Sequence, residues 1–456
     1  MTFRAKYQDC RRKKILILFC VFVFGGNAEA FNTTGHYDTT AVIVGSKAFD
    51  DFAQAAAGRA IAIEEKELIL ACSQLTDMAS EFDAIQTFWN IDFSDKLAWA
   101  VPGHYPSSIS QEEGKMVVTQ QLIHGLTGGD IDSLRAMAIN TVDTLLYHWL
   151  NEVSPARRGT RACALGMALH LYGDSHAHRR IADVGTAETN TMYNTGYGHF
   201  IPGHYPDYVL CGSLVKDDFA KTTCSDVPLV LKNGRVHDWF FMAFQLQLLN
   251  DLAARHALHS DRFIADMNNL AHQTWLSAVP QLLDAQPSDA EQRICKGAAD
   301  QCRDMAVGGL LLRMARDQSQ FPTDDLKAFA AENAPIQSAG LVPKEDSCEA
   351  ILGRLRRVSA GMSRLFDDRN QHICATVWQD FGPVALANMR KCATAAGNGR
   401  SCVVADLIWI YQDAGGQSGS QAQQCVASLF PSGSGVTQGS SRCAFKKPSA
   451  SHVQSH

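Results

Sequence analysis

Residues 169–180 read LHLYGDSHAHRR and bring His170, Asp174, His176 and His178 together within one short stretch. Neutral imidazole and carboxylate are the donor types that suit zinc. On a helix, residues four apart share a face. His170, Asp174 and His178 therefore form one edge, and His176 turns away from it. The stretch follows an apolar run, CALGMAL, so this edge is directed toward a core. A buried charge there requires a partner, and a metal would supply one. A polar patch at a helix end is the alternative reading. Arg179 and Arg180, which follow at once, either contact a phosphate in bidentate fashion or form a solvated helix end.

Other candidate ligands lie upstream and downstream. Ten of the sixteen histidines fall between His36 and His237: His36, His104, His124, His148, His170, His176, His178, His199, His204 and His237. Two loops share the string PGHYP, in VPGHYPSS (101–108) and IPGHYPDY (201–208), so His104 and His204 each sit in a stiff, proline-flanked turn. VHDW (236–239) carries a lone His-Asp pair, a weak signal for a metal phosphohydrolase. The glycine-rich GLTGGD (125–130) lacks the GK[ST] of a phosphate loop and reads as a turn into a helix. No GxSxG nucleophile motif is present.

The elements that position these residues are helical. Residues 41–62 are alanine-rich, and EEKELILACSQLTDMASEF (64–82) spaces Leu68, Cys72, Leu75 and Ala79 at helical period. Residues 130–152 carry the stripe Leu134, Met137, Ala138, Thr141, Leu145 and Trp149, with Asp130 placed to cap the helix. Further helices are predicted over 160–178, 237–258, 261–284 and 303–317. Strand-like alternation is scarce, so the fold class is all-α.

The 456 residues are 46% hydrophobic and 19% charged, a globular composition with a core of substantial size. The formal net charge of −6 makes no electrostatic case for coating a polyanion. RRKK (11–14), the apolar ILILFCVFVF (15–24) and AEA (28–30) form an export signal, with the mature chain starting at Phe31. The expected location is exported, periplasmic or secreted. Twelve of the fourteen cysteines lie beyond the signal, an even number suited to disulfides. Cys211/Cys224, Cys295/Cys302 and Cys392/Cys402 are plausible near-neighbour pairs. No CxxC is present. The domain reading is signal 1–30, main domain 31–320, linker 321–346, a smaller helical, cysteine-containing C-terminal segment 347–430 and a Ser/Gly-rich disordered tail 431–456.

The mature start FNTTGHYDTTAVIV resembles the start of the zinc-dependent phospholipase C and single-strand-specific nuclease superfamily. Those enzymes begin with an aromatic residue that binds zinc through its α-amino group and carbonyl oxygen. A Gly-His follows a few residues later. The resemblance assigns these places to Phe31 and to Gly35-His36. It continues with a helix aspartate (Asp77, in ACSQLTDMAS) and a loop histidine (His104), then a helix of the form H..GD.H...H (His170 and Asp174). In the nuclease branch the next ligand lies six residues after the aspartate, where this chain has Arg180, and His178 stands in for it. A final His-and-carboxylate pair falls on His204 and Asp207, one residue closer together than in the family, with His199 as the reserve ligand. The resemblance covers about residues 31–210, and its individual motifs are short.

The resemblance implies a multi-helix zinc phospholipase C/nuclease-like domain that binds up to three zinc ions. It would be a phosphodiesterase using a metal-activated water, with Asp77 or Asp174 as bridging carboxylate or general base. Phospholipid is the first expected substrate, with transient membrane-surface contact. Single-stranded nucleic acid is the alternative, for a nuclease or nucleotidase on the same scaffold. No stable protein partner is implied. A third reading, of a different class, is a non-catalytic exported metal-binding protein.

Overall fold

A computed structural model of the chain describes residues 36, 40, 43–44, 47–78, 82–99, 105–106, 108–180, 191–196, 198, 373–395, 400–411 and 445–446. Within them the chain is mostly helical, in agreement with the all-α expectation. The helices are α1 (Lys47–Ala57), α2 (Ile63–Met78), α3 (Ala84–Trp89), α4 (Phe93–Trp99), α5 (Gln111–Val118), α6 (Ile131–Leu150), α7 (Pro155–Ala177) and α8 (Ile373–Thr394). A π turn, Thr119–Ile123, extends α5, and a 3-10 turn spans Ala405–Ile410. Strands are confined to two antiparallel two-residue ladders: β1 (Ser108–Ile109) with β4 (Phe445–Lys446), and β2 (Arg179–Arg180) with β3 (Thr191–Met192).

The helix starts follow local chemistry. Ser110 and Glu113 close a capping box on α5. The Asp130 side chain accepts the Ser133 N–H at the start of α6, as its position in the sequence predicts. Pro155 opens α7, where its missing N–H costs nothing. GLTGGD is the predicted helix-entry turn, left-handed at Gly125 and Gly128.

Helix α7 lies at the centre, packed against α2, α6 and α8. The stripe predicted on α6 is buried throughout, from Leu134 to Trp149. The approach of α7 to α2 depends on Gly166. A Cβ there would lie 2.3 Å from the Ile69 carbonyl oxygen and 2.9 Å from Cys72 Cβ. Three residues earlier on α7, Cys163 is disulfide-bonded to Cys72. This long-range pair was not legible from spacing, whereas the near-neighbour Cys392–Cys402 pair was.

Residues 373–395 and 400–411, which lie beyond the predicted linker, enter the same hydrophobic core as the N-terminal helices. Val377, Phe381, Met389, Leu407 and Tyr411 are buried together with Leu134, Leu145 and Trp149. The linker 321–346, the tail 431–456 apart from 445–446, the helices predicted over 237–317 and the cysteine pairs Cys211/Cys224 and Cys295/Cys302 lie outside the described residues. Among the described residues no helix is long and apolar enough to cross a membrane.

Candidate metal centre

Four segments meet at one buried point. His36 comes from a helical stretch in which His36, Thr40, Ile43 and Val44 are all buried at helical spacing. Asp77 comes from the last turn of α2, His124 from the residue after the π turn, and His170 and Asp174 from consecutive turns of α7. All five side chains are buried, none more than 6% exposed.

Asp174 is the hub. Its Oδ1 lies 3.1 Å from His36 Nε2, and its Oδ2 lies 3.0 Å from His170 Nε2 and 3.1 Å from His124 Nδ1. Asp77 faces the same rings, with Oδ1 3.5 Å from His170 Nε2 and 3.6 Å from His124 Nδ1. Its Oδ2 lies 3.9 Å from His36 Nε2. The His36 and His170 rings stack at 3.8 Å, and His124 meets His170 edge-on.

Backbone carbonyls set the tautomers. His170 Nδ1 lies 2.8 Å from the Ser73 carbonyl oxygen, and His124 Nε2 lies 2.7 Å from that of Phe82. A carbonyl accepts only, so each of these nitrogens carries the ring proton. The opposite nitrogens, His170 Nε2 and His124 Nδ1, therefore turn lone pairs toward each other at 3.1 Å and toward Asp174. For His170, burial pushes the imidazolium down to about 3, so its Nε2 keeps the lone pair. Burial would raise the Asp174 carboxyl, but His170, His178 and His36 around it hold it well below the ordinary carboxylate range. Lone pairs and carboxylates converging without a proton between them suit a cation, and a histidine tied to a carbonyl through its far nitrogen is the usual arrangement of a metal ligand.

Two triads are close enough to hold an ion: His36, His170 and Asp174, and Asp77, His124 and His170. These buried histidine and aspartate groups could hold a metal, and their one shared member, His170, brings the two positions side by side.

The structure brings His36, Asp77, His170 and Asp174 together as the sequence predicts. His178 reaches the same place by a different route. Helix α7 ends at Ala177, and His178 is its C-cap rather than a further turn on the same face. Its Nδ1 donates to the His124 carbonyl oxygen at 2.7 Å and lies 3.7 Å from Asp174 Oδ2. His176 turns away, as helical phase predicts, and packs edge-on against Tyr172. Phe31, His104, His199, His204 and Asp207 lie outside the described residues.

His124 was absent from the predicted ligands. The available signal was its membership of the histidine-rich region and its apolar setting, LIHGL, just before the glycine-rich turn. The π turn that aims it left no periodicity to read. No protein-family model matches the chain, and neither a curated protein nor a solved structure does.

Proposed function

We propose that this chain is an exported zinc-dependent phosphoester hydrolase of the phospholipase C type. One observation carries the reading. Three buried imidazoles, two of them with the far ring nitrogen tied to a backbone carbonyl, converge with two carboxylates on one point. The donor set of neutral imidazole and carboxylate suits zinc. The order along the chain supports the family resemblance: Gly-His at 35–36, Asp77, a loop histidine in an apolar setting, then His170 and Asp174. His124 fits that loop-histidine place, which the sequence motif assigned to His104. The signal segment together with the Cys72–Cys163 and Cys392–Cys402 pairs supports export.

A bound ion of this kind supplies Lewis acidity toward a phosphoryl oxygen and a water acidic enough to lose its proton near neutral pH. The chain's own residues do the rest. Asp174 offers Oδ1 to His36 and Oδ2 to His170 and His124, and His170 is the member common to both triads. The Ser73 and Phe82 carbonyls fix the rings of His170 and His124 in the ligating tautomer. Asp77, facing all three rings, is placed to accept a proton from an attacking water.

Metal analysis of the mature chain followed by assays on phosphatidylcholine and on single-stranded DNA tests this. Stoichiometric zinc, with lipid hydrolysis that is lost in His170→Ala, is the expected result. Cleavage of DNA in place of lipid would assign the nuclease reading. The complete burial of the five ligands favours a second reading, a closed metal site in a non-catalytic protein. Tightly bound zinc with no hydrolysis of either substrate would establish that reading and overturn the first.

A further inference from the structure

His124 projects from a segment held on both sides by groups far away in the sequence. The π turn ends on it, with the His124 N–H donating to the Thr119 carbonyl oxygen and the Leu126 N–H to that of Gln120. Within the turn, Gln120 and Gln121 are buried. Gln120 is tied to the backbone of Gly196, accepting its N–H at 2.6 Å and donating to its carbonyl at 3.0 Å. Gln121 is part of a one-way relay. The Tyr411 hydroxyl donates to Gln121 Oε1 at 2.6 Å, Gln121 Nε2 donates to Thr195 Oγ1 at 2.7 Å, and the Thr195 hydroxyl donates to the Leu126 carbonyl oxygen at 2.7 Å. The relay therefore grips the chain three residues before His124 and two residues after it.

The C-terminal segment docks on the same loop through its backbone. The Asp130 N–H donates to the Ser401 carbonyl oxygen at 2.7 Å, and the Val404 N–H donates to that of Thr127 at 3.1 Å. Gly129 permits this approach, because a Cβ there would lie 2.2 Å from the carbonyl carbon of Cys402. Tyr411 is fully buried and closes the docked segment. A π turn interrupts regular helical bonding and persists where surrounding contacts enforce it.

We propose that Tyr411 is a positioning residue for the metal centre: through Gln121 and Thr195 its hydroxyl holds the π turn in the form that aims His124 Nδ1 at Asp77 and Asp174. The inference rests on the metal-site reading above and extends it to a part of the chain that the family resemblance does not cover. The C-terminal segment is then a component of the site's architecture. Outer contacts that orient metal ligands change affinity about 10- to 100-fold when removed.

The test compares the full mature chain with Tyr411→Phe, which keeps the ring and removes only the hydroxyl. Met137→Ala, a core truncation in α6, serves as a control for lost stability. Each protein is stripped and titrated with Co2+ at a temperature where circular dichroism shows it folded. Affinity is read against a chelator, and the visible absorption band reports ligand geometry. Tyr411→Phe is expected to weaken Co2+ binding about tenfold and to shift the band, with Gln121→Leu doing the same and Met137→Ala doing neither. Wild-type affinity and an unchanged band in Tyr411→Phe, while the wild type binds Co2+, would overturn the positioning role alone. A wild type that binds no Co2+ would overturn the metal site and this inference with it.

Discussion

Replacing Asp174 by asparagine separates a site built for a cation from a polar network complete in itself. In the wild type, Asp174 Oδ2 lies 3.0 Å from His170 Nε2 and 3.1 Å from His124 Nδ1. The ring protons of both histidines are committed to the Ser73 and Phe82 carbonyls, so without a cation these contacts set acceptor against acceptor. Asparagine preserves the shape and brings an amide that can donate to the two lone pairs, for about 1 kcal/mol each. It also removes a charge whose burial the surrounding imidazoles already offset, since they hold the carboxyl below its ordinary range, so little desolvation cost is relieved. The metal-free Asp174→Asn protein is therefore expected to be at least as stable as the metal-free wild type, by up to about 2 kcal/mol. The loaded protein moves the other way, because the variant lacks the charged group that faces all three imidazoles. Zinc affinity should fall at least ~100-fold, about 3 kcal/mol. Urea unfolding of stripped and loaded protein, with zinc titration against a chelator, measures both quantities. Destabilisation of the stripped variant, or an unchanged zinc affinity, would refute the reasoning.

Three further predictions concern the scaffold. The Cys72→Ser/Cys163→Ser double variant opens a link between residues 91 apart and should cost roughly 3–5 kcal/mol in denaturant unfolding, with reductant reproducing the loss in the wild type. Gly166→Ala drives a methyl against the Ile69 carbonyl and should cost about 2–3 kcal/mol. It should also lower zinc affinity, since His170 is held against Ser73 one turn away; a stable variant with intact affinity would contradict this close helix approach. The metal-free protein should lose stability on acidification. His170 has its folded-state value near 3, below the ordinary 6.5, so the unfolded chain takes up the proton first. Its contribution is complete well above pH 6.5 and declines as pH falls toward 3, amounting to roughly 2 kcal/mol between pH 6.5 and 4.5. His176, also lowered by burial, acts in the same direction. Equal unfolding midpoints at pH 7.5 and 4.5 would contradict the burial of these rings.

Local periodicity and end chemistry were enough to read much of the frame. The α6 stripe, the Asp130 cap, the turn through GLTGGD and the His170–Asp174 edge all depend on residues within a few turns of one another, where helical geometry fixes the relation. His36 and Asp77 were reached through motif order. The ten-residue separation of Cys392 and Cys402 likewise made their pairing readable. Relations across distant segments had no such signal. The Cys72–Cys163 link, the entry of residues 373–395 and 400–411 into the N-terminal core, and the arrival of His124 beside Asp77 and Asp174 each depend on how helices stack, a non-local matter of shape. Helical phase placed His178 rather than His176 beside Asp174, but the helix stops one residue earlier and the carbonyl of His124, just after the π turn, holds the ring there. The sequence by itself thus determined which side chains could share a helix face and carry metal chemistry. Only the tertiary structure decided which carbonyls take the ring protons, and so which lone pairs point inward, because that depends on contacts between segments tens of residues apart.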